Sequence, residues 1–302
     1  MSTRASLFDS AFLAKLEQLH LLARRIFRGD RRAERRSRQT GASLEFADYR
    51  EYTPGDEPRS IDWNAYGRLE RLFVKLHEQE QDLPVTFLVD CSASMRWLPE
   101  ENPDAPGKFD HARRLCAALA YIALANLDRV DIRFFAASSL SNLGVARGKS
   151  QFHSVLKFLD APPDADGPTR LLNAVKSLTQ RAHRRGLVFV LSDLFDPHGC
   201  EEPLGMLRHS QFDVHVLQIL APEELAPTVA GDLSLREIEN GTAMDITANE
   251  KLLRRYREEI TKFNDALESF CLRRGIAFAQ VMTDVPFEDV VLRALRDGVM
   301  IR

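Results

Sequence analysis

From residue 83 onward, short apolar runs rich in β-branched and aromatic residues alternate with helical stretches, and few folds accept that order. Residues 84–89, 130–135, 187–191, 213–219 and 276–282 read as strands. Between and after them, residues 109–127, 152–159, 171–183, 249–274 and 287–296 read as helices, and 233–246 as a hairpin turning at Asn240-Gly241. The long helix is expected to stop at Gly275, a residue free to take the left-handed backbone that ends helices. Strands that are apolar on both faces must be covered on both faces. A strand–helix–strand order delivers that cover through parallel pairing. The expected fold is therefore α/β: a mainly parallel sheet with helices on both faces.

Two shorter regions precede it. Residues 7–27 form an amphipathic helix, with Leu13, Leu16, Leu19 and Ile26 among its apolar positions. It runs into a basic segment, Arg24, Arg25, Arg28, Arg31, Arg32, Arg35, Arg36 and Arg38, with only Asp30 and Glu34 opposing them. Such a run is either a solvated helix end or a contact for nucleic acid, anionic lipid or an acidic protein surface. Only Phe27 lies within it, so it lacks the aromatic interleaving of a base-stacking platform. Residues 41–82 alternate weakly and carry the turn signal Thr53-Pro54-Gly55-Asp56, which points to a small β extension. The expected division is 1–40, 41–82 and 83–302.

With 302 residues, 44% of them apolar, the chain can bury a sizeable core. Its net charge of −3 gives no overall basic field, so nucleic acid is an unlikely partner for the whole chain. No apolar run is long enough for a membrane span, and none at the N-terminus forms a signal core. Cys91, Cys116, Cys200 and Cys271 are scattered without a C-x-x-C pair. A cytoplasmic protein with reduced thiols is expected.

Ligands of open α/β sheets gather at the carboxyl ends of the strands. The first of these strands is followed by Asp90-Cys91-Ser92-Ala93-Ser94, the strand at 187–191 by Ser192-Asp193, and Thr169 precedes a helix. Two carboxylates and several hydroxyls thus converge on one edge. A hard cation such as Mg²⁺ takes oxygen ligands of this kind and tolerates water in the remaining positions. Alternate residues of an extended segment face the same way, which suits Asp90-x-Ser92-x-Ser94.

Asp90-Cys91-Ser92-Ala93-Ser94, with Thr169 and Asp193 downstream, resembles the metal-ion-dependent adhesion site (MIDAS) of von Willebrand factor A domains. The segment Tyr49-Arg50-Glu51-Tyr52-Thr53-Pro54-Gly55-Asp56-Glu57-Pro58-Arg59-Ser60-Ile61-Asp62-Trp63 resembles the signature of a bacterial family numbered fifty-eight among domains of unknown function. The resemblance spans residues 41–302 and implies a von Willebrand A-like, Rossmann-type domain behind a β extension. It further implies that Ser92, Ser94 and Thr169 are hydroxyl ligands of Mg²⁺, or of Mn²⁺ or Ca²⁺. Asp90 and Asp193 would hold the metal directly or through water, and a vacant position would take a carboxylate from a client protein. Members of the family are similar to partners of MoxR-type AAA+ ATPases in protein maturation or remodelling. Many relatives carry two transmembrane helices that this sequence lacks.

Within the signature, Arg50, Asp56, Arg59, Asp62, Arg68 and Lys75 surround Tyr49, Tyr52 and Trp63. They form either an internal ion-pair network or a docking surface. Gly144 to Ser150 looks like a P-loop but is one residue short, so ATP binding there is not expected. His198 is the one histidine near the proposed edge and reads as a solvated loop residue, and Cys91 is expected to point into the core. No G-x-S-x-G elbow surrounds Ser92 or Ser94. The expected function is a non-enzymatic, metal-dependent protein-binding module. A metal-dependent phosphoesterase, and binding of nucleic acid or lipid through Arg24–Arg38, are the alternatives.

Overall fold

The structure, a computed structural model, describes residues 7–30, 45–54, 56, 58, 61–78, 83–97, 107–137, 140–164, 169–181, 186–229, 231–236 and 242–296. The chain divides into two compact units, one of residues 28–82 and the other of residues 1–27 with 83–302.

The larger unit begins with α1 (Ser10–Asp30), on which Phe12, Leu16 and Leu19 are buried. In the smaller unit β1 (Glu45–Glu51) and β2 (Phe73–Glu78) pair antiparallel on either side of α2 (Trp63–Leu69). The Asp62 carboxylate caps α2 by accepting from the Asn64 and Ala65 amides at 2.9 and 3.3 Å. This helix, which begins at the last residue of the signature, departs from the expected β-rich texture. No residue of α2 is buried, so it carries no core-facing stripe for periodicity to reveal.

The α/β part follows as β3 (Pro84–Asp90), α3 (Lys108–Ala125), β4 (Arg129–Phe135), β5 (Leu140–Asn142), β6 (Ala146–Arg147), α4 (Phe152–Asp160) and α5 (Leu171–Arg181). Then come β7 (Leu187–Ser192), α6 (Glu201–His209), β8 (Asp213–Leu220), α7 (Pro222–Leu225), β9 (Gly231–Arg236), β10 (Ala243–Ala248), α8 (Glu250–Arg273), β11 (Ala277–Met282) and α9 (Phe287–Arg296). The sheet order is β11-β8-β7-β3-β4-β5, with β6 also on β4. The pairs from β11 to β4 are parallel, and β5 and β6 join β4 antiparallel. The fold is therefore the expected α/β class with a mainly parallel sheet. The hairpin of β9 and β10 forms a separate two-stranded ribbon, and its Asn240-Gly241 turn lies outside the described residues.

Alternation along β3 and β7 sends side chains into two cores. Val85, Phe87, Val89, Phe189 and Leu191 pack with α1, α3, α4 and α9. Leu88, Val188 and Val190 pack with α5, α6 and Cys271 of α8. The P-loop-like stretch holds β6 and a 3₁₀ turn, Lys149–Gln151, that leads into α4. The larger unit also contains the short helices α6 and α7, in stretches where the sequence pattern predicts no element. None of the helices among the described residues is long and apolar enough to cross a membrane.

Candidate functional site

The chain leaves β3 toward β4 on one side and later places β7 on the other side of β3. The carboxyl ends of β3 and β7 therefore flank the point where strand order reverses, the usual ligand position in this class of sheet. Register fixes what meets there: Val89 lies opposite Leu191, so the next residues, Asp90 and Ser192, adjoin. The Ser192 hydroxyl donates to Asp90 Oδ2 at 2.6 Å, and the Ser92 amide donates to Asp90 Oδ1 at 2.9 Å. Asp90, Ser92 and Asp193 are fully buried. The Ser92 and Ser94 hydroxyls stand 3.0 Å apart. Ser92 does not cap the following 3₁₀ turn, Ser94–Arg96, which has no side-chain cap. Cys91 turns away from the loop, with its thiol donating to the Phe135 carbonyl in the core.

Thr169 is buried ahead of α5. Two attachments bracket it. Upstream, the Arg96 guanidinium donates to the Pro163 carbonyl. Downstream, the Leu171 amide donates to Asp196 Oδ2 at 3.1 Å. These bonds tie Pro163 to the turn after β3 and Leu171 to the loop after β7. Its neighbours Gly167 and Pro168 lie outside the described residues.

Asp193 accepts from the Phe195 amide at 3.1 Å and from Lys108 Nζ at 2.8 Å. Lys108 opens α3, is 1% exposed, and also donates to Glu224 Oε1 at 2.5 Å. Glu224 closes a small circuit of its own: its Oε2 accepts from the Ala221 amide, and its carbonyl accepts from the Tyr256 hydroxyl. Behind Asp193, the Gln218 side-chain amide donates to the Asp193 carbonyl at 3.3 Å and to Asn264 Oδ1 at 3.0 Å. Leu194 is held at φ 62°, a backbone conformation leucine rarely adopts, while its amide donates to Ser192 Oγ. Such strain collects at functional sites.

The electrostatics are uneven. Burial, and then the nearby charge of Asp193, push the Asp90 carboxyl up to about 7, against the hydrogen bonds from Ser192 and Ser92. Burial opposes the charge on Lys108, yet Asp193 and Glu224 together hold its ammonium above the usual lysine range. Burial raises the Glu224 carboxyl although Lys108 pulls it down. Among the described residues, no cationic side chain contacts Asp90. A hard divalent cation fits this donor set, which is entirely oxygen and carries two carboxylates that repel each other. Among the described residues no three His, Cys, Asp or Glu side chains cluster around one point. A cation here would rest on two carboxylates and on hydroxyls.

Sequence reasoning missed Lys108 and Glu224. One signal for Lys108 exists: a cation in the first turn of a helix opposes the helix dipole, so a lysine at that position calls for nearby acids. His198 is exposed on its loop beside Asp196, with Nδ1 at 3.4 Å.

The signature residues divide between pairing and exposure. Arg50 donates to Asp56 Oδ1 at 2.7 Å and to Thr53 Oγ1 at 2.8 Å, while the Thr53 amide donates to Asp56 Oδ2. The Thr53 amide and Arg50 hold the Asp56 carboxyl down at about 2. Asp62 is the cap of α2, and Trp63, Tyr66 and Arg68 lie exposed on that helix. Arg59, the side chain of Lys75 and the side chains of Arg24–Arg38 lie outside the described residues.

An uncharacterized protein of Mycobacterium tuberculosis is 23% identical over 251 residues, which cover 82% of this chain and 78% of the relative. An uncharacterized protein of Mycobacterium bovis matches to the same extent. Among solved structures, the conserved hypothetical protein BatB from Bacteroides thetaiotaomicron superimposes with a TM-score of 0.47 at 18% identity, covering 72% of this chain and 98% of that one. An aerotolerance-related membrane protein from Bacteroides fragilis gives a TM-score of 0.44 at 15% identity, covering 73% and 100%. The family model described as protein of unknown function DUF58 matches residues 48–266, well over half of the sequence, and the chain belongs to that family.

Proposed function

We propose that this protein is a cation-dependent protein-binding module of the von Willebrand A type rather than an enzyme. Asp90, Ser92, Ser94, Thr169 and Asp193 form a MIDAS-type cradle for Mg²⁺ or a similar divalent ion. The ion supplies a focused positive charge that takes a carboxylate from a partner, a contact strengthened where water is excluded. The partner is a MoxR-type AAA+ ATPase or a protein it remodels, in the cytoplasm. The observation that carries this reading is the burial of Asp90 and Asp193 beside each other at the switch point, where burial and then the charge of Asp193 push the Asp90 carboxyl up to about 7. The phosphoesterase alternative has less support: the Ser92 and Ser94 hydroxyls bond each other, and among the described residues no histidine stands beside them as a base.

Calorimetric titration with Mn²⁺, followed by capture of the MoxR-type ATPase of the same genome in Mg²⁺ and in EDTA, tests it. Asp90→Ala and Ser92→Ala are expected to weaken Mn²⁺ binding at least tenfold and to abolish capture, as EDTA does for the wild type. Capture indifferent to both variants and to EDTA would refute a cation-bridged contact.

A further inference from the structure

Lys108 is a buried cation, 1% exposed, and no ligand set of the cradle includes it. Its ammonium lies 2.8 Å from Asp193 Oδ2, and its second acid, Glu224, is fixed from two other directions by the Ala221 amide and by α8 through Tyr256. The Phe195 ring closes a further side at 5.7 Å. The ammonium thus bridges two carboxylates, and it can lose one of them without leaving the site. We propose that Lys108 is a built-in competitor for the divalent cation, shared by Asp193 and Glu224 when the cradle is empty and kept by Glu224 alone when an ion draws Asp193 to itself.

The inference rests on the cation reading above and assigns the residue that sets affinity at that site. Its physical basis is the charge balance. With all four groups ionised, Asp90, Asp193 and Glu224 oppose a single ammonium, and a fixed positive charge in contact with one ligand carboxylate weakens any second cation there. Glu224 is part of the device because it keeps its hydrogen bond to the ammonium when Asp193 turns to the ion. Without it, releasing Asp193 would strand a buried charge, which is costly.

Mn²⁺ titration at pH 8, by calorimetry and by the paramagnetic resonance signal of free ion, tests the proposal with the full chain. Lys108→Met, close in length and without charge, is expected to bind Mn²⁺ at least tenfold more tightly than wild type, a gain that mere loss of packing would not produce. Glu224→Gln, nearer the rim, is expected to bind at least threefold more weakly. If Lys108→Met does not fold, Lys108→Gln and the Glu224 variant carry the test. Binding by the wild type with Lys108→Met and Lys108→Gln unchanged or weaker overturns the competitor role and leaves the cradle standing. Absence of binding in wild type and in every variant overturns both. Binding that appears only when Lys108 is replaced supports both.

Discussion

Two basic residues one turn apart on α3 show how differently a buried base can be treated. Lys108 keeps its charge because two carboxylates meet it. His111 is equally buried, but its Nε2 has no hydrogen-bond partner. Burial first, then the charge of Arg114, press its pKa down to about 4, with Asp284 and Glu288 pulling the other way. In the unfolded chain this imidazole takes up a proton near 6.5. Between those pH values the unfolded state binds more protons, so the His111 contribution to stability falls as pH drops from about 6.5 to 4. Asp90 has the opposite slope in an overlapping window, since a raised carboxyl favours the protonated folded state. The clean measurement is therefore a difference. In denaturant melts the stability of wild type relative to His111→Leu is expected to fall as pH goes from 6.5 to 4.5, by at most about 1.4 kcal/mol per pH unit. Parallel curves would show that His111 accepts a proton in the folded state.

At the level of elements, the alignment of β3 with β7 decides whether the site exists, and one glycine sets their approach. A Cβ on Gly186, at the entrance to β7, would lie 2.2 Å from the Pro84 carbonyl oxygen at the start of β3. Backbone cannot yield there as a flexible side chain could. Gly186→Ala is expected to destabilise the fold by about 1–3 kcal/mol, read from equilibrium urea unfolding, and a neutral result would mean that the strands separate freely at that end. The strands themselves were legible because fully buried β-strands are written as continuous apolar runs, as in residues 187–191. Asp90, Ser92, Ser94 and Asp193 were legible for the same reason, since each closely follows such a run. Elements held by caps and backbone were not. α2 rests on Asp62 and buries none of its residues, and α6 carries Pro203 and Gly205, which break the usual helical texture. Lys108 and Glu224 lie 116 positions apart, and only the closed fold brings them together.

On the scale of the whole molecule, the candidate site lies in the larger of the two units, while the family match, residues 48–266, takes in parts of both. Within the smaller unit the Arg50–Asp56 pair and the Asp62 cap give three of the six conspicuous charges a local structural role, and Arg68 stays exposed. Trp63 remains 62% exposed on α2. The four cysteine sulfurs, in contrast, all belong to the larger unit, and every one is a buried free thiol. Burial, followed by acidic neighbours, holds Cys200 and Cys271 up at about 12 and 11, far from the thiolate that reacts. The native protein should therefore stay unalkylated by iodoacetamide at pH 8, and each labelled sulfur records one excursion from the folded state. Because residues 28–82 contain no cysteine, this stopwatch runs on the larger unit alone. Cys91, wedged between two members of the cradle, should be the sulfur whose labelling slows most when Mn²⁺ is added, as peptide mass mapping would resolve.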